Sequence, residues 1–308
     1  MFEIYVPTYK KKHPRILALL KDNDIVLNLC VRQEELDSGY YNDEQFQNER
    51  IHFVSLGYSI KDIGETRQRI LDYCKAHNVE FCTMFDDTVY DIRSKLYETA
   101  TPSTLLRMCI GSLRMNPKRL PVALFGFTKA EMLKVDSLGN DAYFEIEQTQ
   151  EYKEKYFAAF PAQAYILNMK YVYDVGYKNL NERGLEDTVF VCECLKRGYV
   201  FEFDSAIQYC AEEINAPKQG GNHTEHNSFE KVRDKYNLAQ YKTFEHYKDI
   251  FGLSLEARYR NYLQGNVAFL NFDWTYYREL LVTKRKENQK IIDMNLSIKG
   301  YYNEFVKK

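Results

Sequence analysis

The stretch Glu80-Phe81-Cys82-Thr83-Met84-Phe85-Asp86-Asp87-Thr88 decides the fold. Glu80 to Phe85 is a short, mostly apolar run, and such runs form strands buried on both faces of a parallel sheet. The run stops abruptly at two adjacent carboxylates. Like charges side by side at the carboxyl end of a strand repel, and they are costly to desolvate unless a cation or hydrogen-bond donors compensate. Hard divalent cations such as Mg²⁺ or Mn²⁺ supply that compensation and in turn bind phosphates. An exposed turn holds an Asp-Asp pair equally well, so the surroundings must decide.

Three similar runs lie upstream: Phe2 to Val6, stopped by Pro7; Ile25 to Val31; and Ile51 to Leu56. Helical patterns fall between them, one from about Pro14 and one over Gly64 to His77, where Ile70, Leu71 and Cys74 share a face. This alternation implies an α/β fold: a Rossmann-like, mostly parallel central sheet flanked by helices. In such sheets ligands bind beyond the carboxyl ends of the strands. The loops Pro7 to Lys12 and Asp86 to Asp91 are therefore the first places to look for function.

Downstream the pattern is less regular. Ser103 to Met115 reads as a helix, Val122 to Phe127 and Tyr165 to Asn168 as strands, and a short helix falls near Tyr171. Leu185 to Arg197 is a helix closed by Gly198, followed by a strand from Val200 to Phe203. A Lys218-Gln219-Gly220-Gly221-Asn222-His223 loop follows, and from Ser228 onward the chain reads as mainly helical. The expected division is a catalytic unit over residues 1–225 and a helical C-terminal extension over 226–308.

Charge sharpens that division. The 308 residues carry a net charge of −2, which argues against a protein that coats nucleic acid by charge alone. Residues 217–308 hold 16 Lys+Arg against 11 Asp+Glu, and residues 1–216 hold 26 against 33. A basic tail on an acidic unit suits a polyanionic partner, although a solvated helix face explains such runs as readily. The seven Cys form no CxxC pair and read as reduced thiols of a cytoplasmic protein. The opening residues do not read as a secretory leader and no apolar run reaches membrane length, so the expectation is a chain with neither leader nor membrane partner. The 26 Tyr and 19 Phe are unusual beside one Trp, and Tyr suits polar-rimmed clefts.

Taken together, four segments resemble glycosyltransferases of the GT-A fold. Val6-Pro7-Thr8-Tyr9-Lys10 resembles the loop after that family's first strand. Gly64-Glu65-Thr66-Arg67-Gln68 resembles the segment preceding its central carboxylates. Phe85-Asp86-Asp87 stands where its DxD motif stands, with Phe85 departing from the first Asp. Glu186-Asp187-Thr188-Val189-Phe190, with Leu195 and Gly198-Tyr199, resembles its later acidic helix. The resemblance implies that Pro7, Thr8 and Tyr9 hold the nucleotide, that Arg67 approaches the nucleotide or its diphosphate, and that Asp86 contacts the ribose or a metal-bound water. It implies that Asp87 ligates Mn²⁺ or Mg²⁺ with His223, or His226, completing the shell. Asp187, with Glu186 beside it, would be the base of an inverting transfer. Without the resemblance, Arg67 reads as a surface charge paired with Glu65 or Asp72, and Glu186-Asp187 as helix-start acids favoured by the dipole.

A looser resemblance, in the Gly64–Leu71 helix leading to Met84–Val89 and in the late glycine loop, is to TET-associated glycosyltransferases of bacteriophages. It implies a UDP-sugar donor and an acceptor of 5-hydroxymethylcytosine or an already modified base in double-stranded DNA, acting in the host cytoplasm. Arg258, Arg260, Lys284, Arg285 and Lys286 would then face phosphates. A glycan, lipid or protein acceptor, or a non-catalytic nucleotide-binding module, are the competing expectations. The sequence leaves the oligomeric state open.

Overall fold

In a computed structural model, residues 1–94, 97–115, 121–129, 163–177, 185–211, 229–260 and 265–271 are described. Four parallel strands form one half of the sheet: β1 (Phe2–Pro7), β2 (Ile25–Val31), β3 (Ile51–Ser55) and β4 (Phe81–Phe85). Burial explains their sequences. β2 is buried at every position, as befits an inner strand, whereas the edge strand β3 keeps partly exposed residues. The first helix pattern becomes a 3-10 helix over Arg15–Lys21, and a short helix α1 (Gln33–Asp37) follows β2.

Helix α2 (Ile63–Ala76) connects β3 to β4 and starts on a good N-cap, the Asp62 carboxylate accepting from the Glu65 N–H. Ile70, Leu71 and Cys74 are buried with no measurable exposure. The apolar face read from the sequence is therefore its core face. Arg67 is buried on the same helix.

After β4 the chain turns at Asp86 and enters β5 (Val89–Ser94), so the loop expected over Asp86 to Asp91 is in fact a three-residue turn and a strand. Helix α3 (Pro102–Met115) and strands β6 (Val122–Lys129) and β7 (Ala164–Asn168) follow, then short helix α4 (Met169–Val172), helix α5 (Glu186–Lys196) and strand β8 (Val200–Ala211). The eight strands lie in the order β3-β2-β1-β4-β7-β6-β8-β5. Pairings β4–β7, β6–β7 and β5–β8 are antiparallel, and the other four are parallel. Six strands thus run one way and β7 and β5 run against them. The fold is a mostly parallel, Rossmann-like α/β sheet flanked by helices.

Within residues 226–308, expected as helical, Phe229–Phe251 forms a long helix, α6, but the chain then forms an antiparallel ladder of β9 (Ser254–Arg260) and β10 (Gly265–Asn271) instead of further helix. Helix α6 docks on α5 through a buried Glu193. Its carboxylate accepts from the Tyr247 hydroxyl at 3.0 Å and pairs with Lys196 and Arg197. The Asn237 and Gln240 side chains accept from the Ala268 and Leu270 N–H groups, covering one edge of β10. All seven cysteines are buried free thiols. Among the described residues, no helix is long and apolar enough to cross a membrane.

Candidate functional site

The carboxyl ends of β1, β2 and β4 point to one place, because these strands are neighbours and parallel. There a cavity of about 160 Å³ opens, lined by Pro7, Thr8, Tyr9, Arg32, Arg67, Asp86, Asp87 and Thr88 among others. Residues from five places in the sequence, 7–9, 30–32, 56–67, 86–88 and Gln163, share its wall. Its chemistry is divided. Leu56 and Ile60, between β3 and α2, and Ile63, the first residue of α2, supply apolar surface, and the end of β4 supplies the carboxylates. A flat ring fits the first kind of surface, and a polar or metal-linked group the second.

The loop after β1 is fixed by a buried acid from the next crossover. Glu35 is 3% exposed. Its carboxylate accepts from the Lys10 N–H at 2.6 Å, the Arg32 N–H at 3.2 Å and the Tyr41 hydroxyl at 2.8 Å. Lys10 is held in the left-handed region at φ 46°, an uncommon conformation for a residue with a side chain. Arg32 lies 3.9 Å above the Tyr9 ring. Both residues line the cavity, so this cation–π pair is part of its wall.

Arg67 is the centre of the polar part and is only 4% exposed. Its Nη1 donates to Glu186 Oε1 at 2.6 Å and its Nη2 to Asp86 Oδ1 at 3.2 Å. The guanidinium also stands 5.9 Å from each of the Tyr165 and Tyr177 rings, whose hydroxyls are bonded to each other. The surface pairing open to Arg67 in the sequence is taken by its neighbours: Arg69 pairs with Glu65, and Gln68 donates to Asp72. Its two terminal nitrogens are engaged by carboxylates, and its Nε is buried with no hydrogen-bond partner.

Glu186 reaches Arg67 because the starts of α2 and α5 meet. Gly64 makes the meeting possible: a Cβ there would lie 3.2 Å from the Glu186 Cβ and 3.2 Å from Asp62 Oδ1. Leu185, just before Glu186, is in the left-handed region at φ 63°, a strained conformation of the kind that clusters at functional sites. Burial pushes the Glu186 carboxyl up to about 7, against the pull of Arg67 and with help from the charges of Asp187 and Asp86. Burial likewise raises Asp86, opposed by Arg67 and reinforced by Asp187. Asp187 is therefore electrostatically part of the cluster, although it is not a lining residue. Its Oδ1 accepts from the Thr188 N–H at 2.7 Å.

The structure thus brings together Pro7, Thr8, Tyr9, Arg67, Asp86 and Asp87 in one wall, with Glu186 attached through Arg67 and Asp187 adjacent. His223, His226, the glycine loop and Lys284-Arg285-Lys286 lie outside the described residues. Among the described residues, no three His, Cys, Asp or Glu side chains gather as a metal cluster. Asp86, bonded to Arg67, and Asp87 both line the wall, and Asp87 is the carboxylate that the sequence resemblance assigns to the metal. A lone protein carboxylate fits Mg²⁺ or Mn²⁺ when substrate phosphates and water complete the shell.

Arg32, Glu35 and Gln163 were not singled out by the sequence. Arg32 had one signal, its position directly after the β2 run. Gln163 fixes the acidic turn: its carbonyl accepts from the Asp86 N–H and its amide donates to Thr88.

No family model matches the chain, and no curated protein matches it. Among solved structures it is similar to the crystal structure of HddC from Yersinia pseudotuberculosis complexed with GMP-PN. That likeness has a TM-score of 0.30 and 12% identity, and covers 60% of this chain and 82% of the other. The site is accordingly read from its own geometry.

Proposed function

We propose that the chain is a metal-dependent glycosyltransferase of the GT-A type, moving a sugar from a nucleotide-sugar donor, a UDP-sugar foremost, to a hydroxyl acceptor. The observation that supports this reading is the convergence of Pro7–Tyr9, Arg67 and Asp86–Asp87 on one cavity with an apolar side and a carboxylate side. A nucleoside diphosphate has matching parts: a flat base and a charged diphosphate. Leu56, Ile60, Ile63 and the Tyr9–Arg32 pair would enclose the base. Asp87 would hold Mn²⁺ or Mg²⁺, and a bound metal would supply positive charge to offset the negative charge developing on the departing diphosphate.

The roles of the other residues follow from their contacts. Arg67 is a positioning residue that ties Asp86 on β4 to Glu186 on α5. Glu186, buried and bonded to Arg67, positions the start of α5. Asp187 is then the group to deprotonate the acceptor hydroxyl in an inverting transfer. The acceptor belongs to the same proposal: 5-hydroxymethylcytosine or an already modified base in DNA, supported by the basic surplus of residues 217–308.

Intact-mass analysis of hydroxymethylated duplex DNA, incubated with the protein and a panel of nucleotide sugars, tests the whole reading. A mass gain of one hexose per modified base is expected. No gain on DNA, with metal-dependent hydrolysis of the donor retained, removes the DNA acceptor and leaves a glycan, lipid or protein acceptor. Absence of both hydrolysis and transfer, with nucleotide still bound, leaves a non-catalytic nucleotide-binding module.

A further inference from the structure

The loop that leaves the cavity at Tyr9 carries a charge pattern that donor binding does not use. From residue 10 to residue 21 the chain contains Lys10, Lys11, Lys12, His13, Arg15 and Lys21 and no Asp or Glu. Residues 1–216 as a whole hold 26 Lys+Arg against 33 Asp+Glu, so this segment runs against its surroundings.

The loop is also pinned in place. Lys10 is anchored through its N–H to Glu35, and the Lys12 carbonyl accepts from Gln45 Nε2 at 2.7 Å. His13 Nδ1 lies 3.2 Å from Gln45 Oε1, and Pro14 is buried. Lys10 and Lys12 are exposed and Lys11 is half-buried. Among the described residues, neither Lys11 nor Lys12 has an ion-pair partner. A flexible solvated tail would need none of these anchors.

We infer that Lys11 and Lys12, with Lys10, form a phosphate-binding lip at the mouth of the cavity, and that its partner is the sugar–phosphate backbone of a nucleic-acid duplex. Three residues of chain span at most roughly 7 Å between the first and last Cα. Along one strand the phosphates follow one another at an axial rise of about 3.4 Å each, so a run of this length, with the reach of its side chains, faces neighbouring phosphates of one strand. The lip rests on the proposed function only in naming that duplex as the acceptor. It places the duplex on the β1 loop, beside the carboxylates, rather than on the basic tail alone.

The test is fluorescence anisotropy of a labelled DNA duplex at stepped NaCl concentrations, with the full chain and with Lys11→Ala/Lys12→Ala. Neither residue belongs to the cavity wall, so binding of UDP-glucose is measured in parallel as the control. The expected result is a drop of about 1.8 in the slope of log K against log salt, from two lost phosphate contacts, with UDP-glucose binding unchanged. No duplex binding by the full chain, or an unchanged slope in the variant, overturns the lip. An equal loss of UDP-glucose binding in the variant overturns it too, by assigning the lysines to the donor's own phosphates. Lip-dependent duplex binding by a protein that binds no nucleotide sugar sustains the lip while removing the glycosyltransferase reading.

Discussion

Replacing Arg67 with Met removes the buried guanidinium while keeping a long apolar stem. Two carboxylates lose their partner, Glu186 at 2.6 Å and Asp86 at 3.2 Å. The Glu186 side chain is 9% exposed and Asp86 30%, so water can resolvate Asp86 but not Glu186. Above about pH 7, where Glu186 is ionised beside Arg67, stranding one partner of a buried pair costs about 3–5 kcal/mol. With an m-value near 3 kcal/mol/M, the urea midpoint falls by about 1–1.7 M. The double variant Arg67→Met/Glu186→Gln no longer buries an unpaired charge and should recover more than half of that loss. The pH dependence carries a sign of its own. The folded Glu186 carboxyl is raised to about 7, above the ordinary value near 4.3. Its stabilising contribution is complete below that ordinary value and is lost as pH rises through about 7. Glu186→Gln should flatten the stability profile between these limits. A loss below about 1 kcal/mol in Arg67→Met, in the range of an exposed pair, or no recovery in the double variant, would refute the buried clamp.

Further outcomes follow from other contacts. Gly64→Ala places a Cβ against Glu186 and Asp62, and should cost about 1–3 kcal/mol as overpacking does, read by urea denaturation. Asp62→Ala removes the N-cap of α2 and should cost about 1 kcal/mol, visible as a lower Tm. Glu193 is held down to about 2: its bonds from Arg197, Lys196 and Tyr247 outweigh the opposing effect of burial. Its contribution is present above the ordinary carboxylate range and lost as pH falls toward about 2. Glu193→Gln should therefore lower Tm at neutral pH and lose less than the parent on acidification.

The parallel half of the sheet was legible in the sequence because strands buried on both faces read as unbroken apolar runs. Ile25–Val31 was delimited to the residue, and β1, β3 and β4 within one residue at an end. The strand β5 was hidden because Asp91 and Arg93 interrupt its apolar alternation and its partner β8 is distant in sequence. β8 itself runs on to Ala211, past the Asp204-Ser205 pair that closed the apolar signal. The β9–β10 ladder was hidden by charges at Glu256 and Arg258, which suit an exposed edge. At the site, the Asp86–Asp87 turn and the Pro7–Tyr9 loop were legible because both end strands at the ligand-binding edge. The bond between Arg67 and Glu186 was not, because 119 residues separate them and nothing local in either helix names the other.

Hydrolysis of UDP-glucose by the purified chain, with Mn²⁺, Mg²⁺ or neither, in the parent and in Asp87→Ala, tests the central claim most directly. The expected result is turnover that requires the metal and disappears in Asp87→Ala, while the variant keeps its Tm. Turnover equal in the variant and the parent, or indifferent to metal, would contradict it.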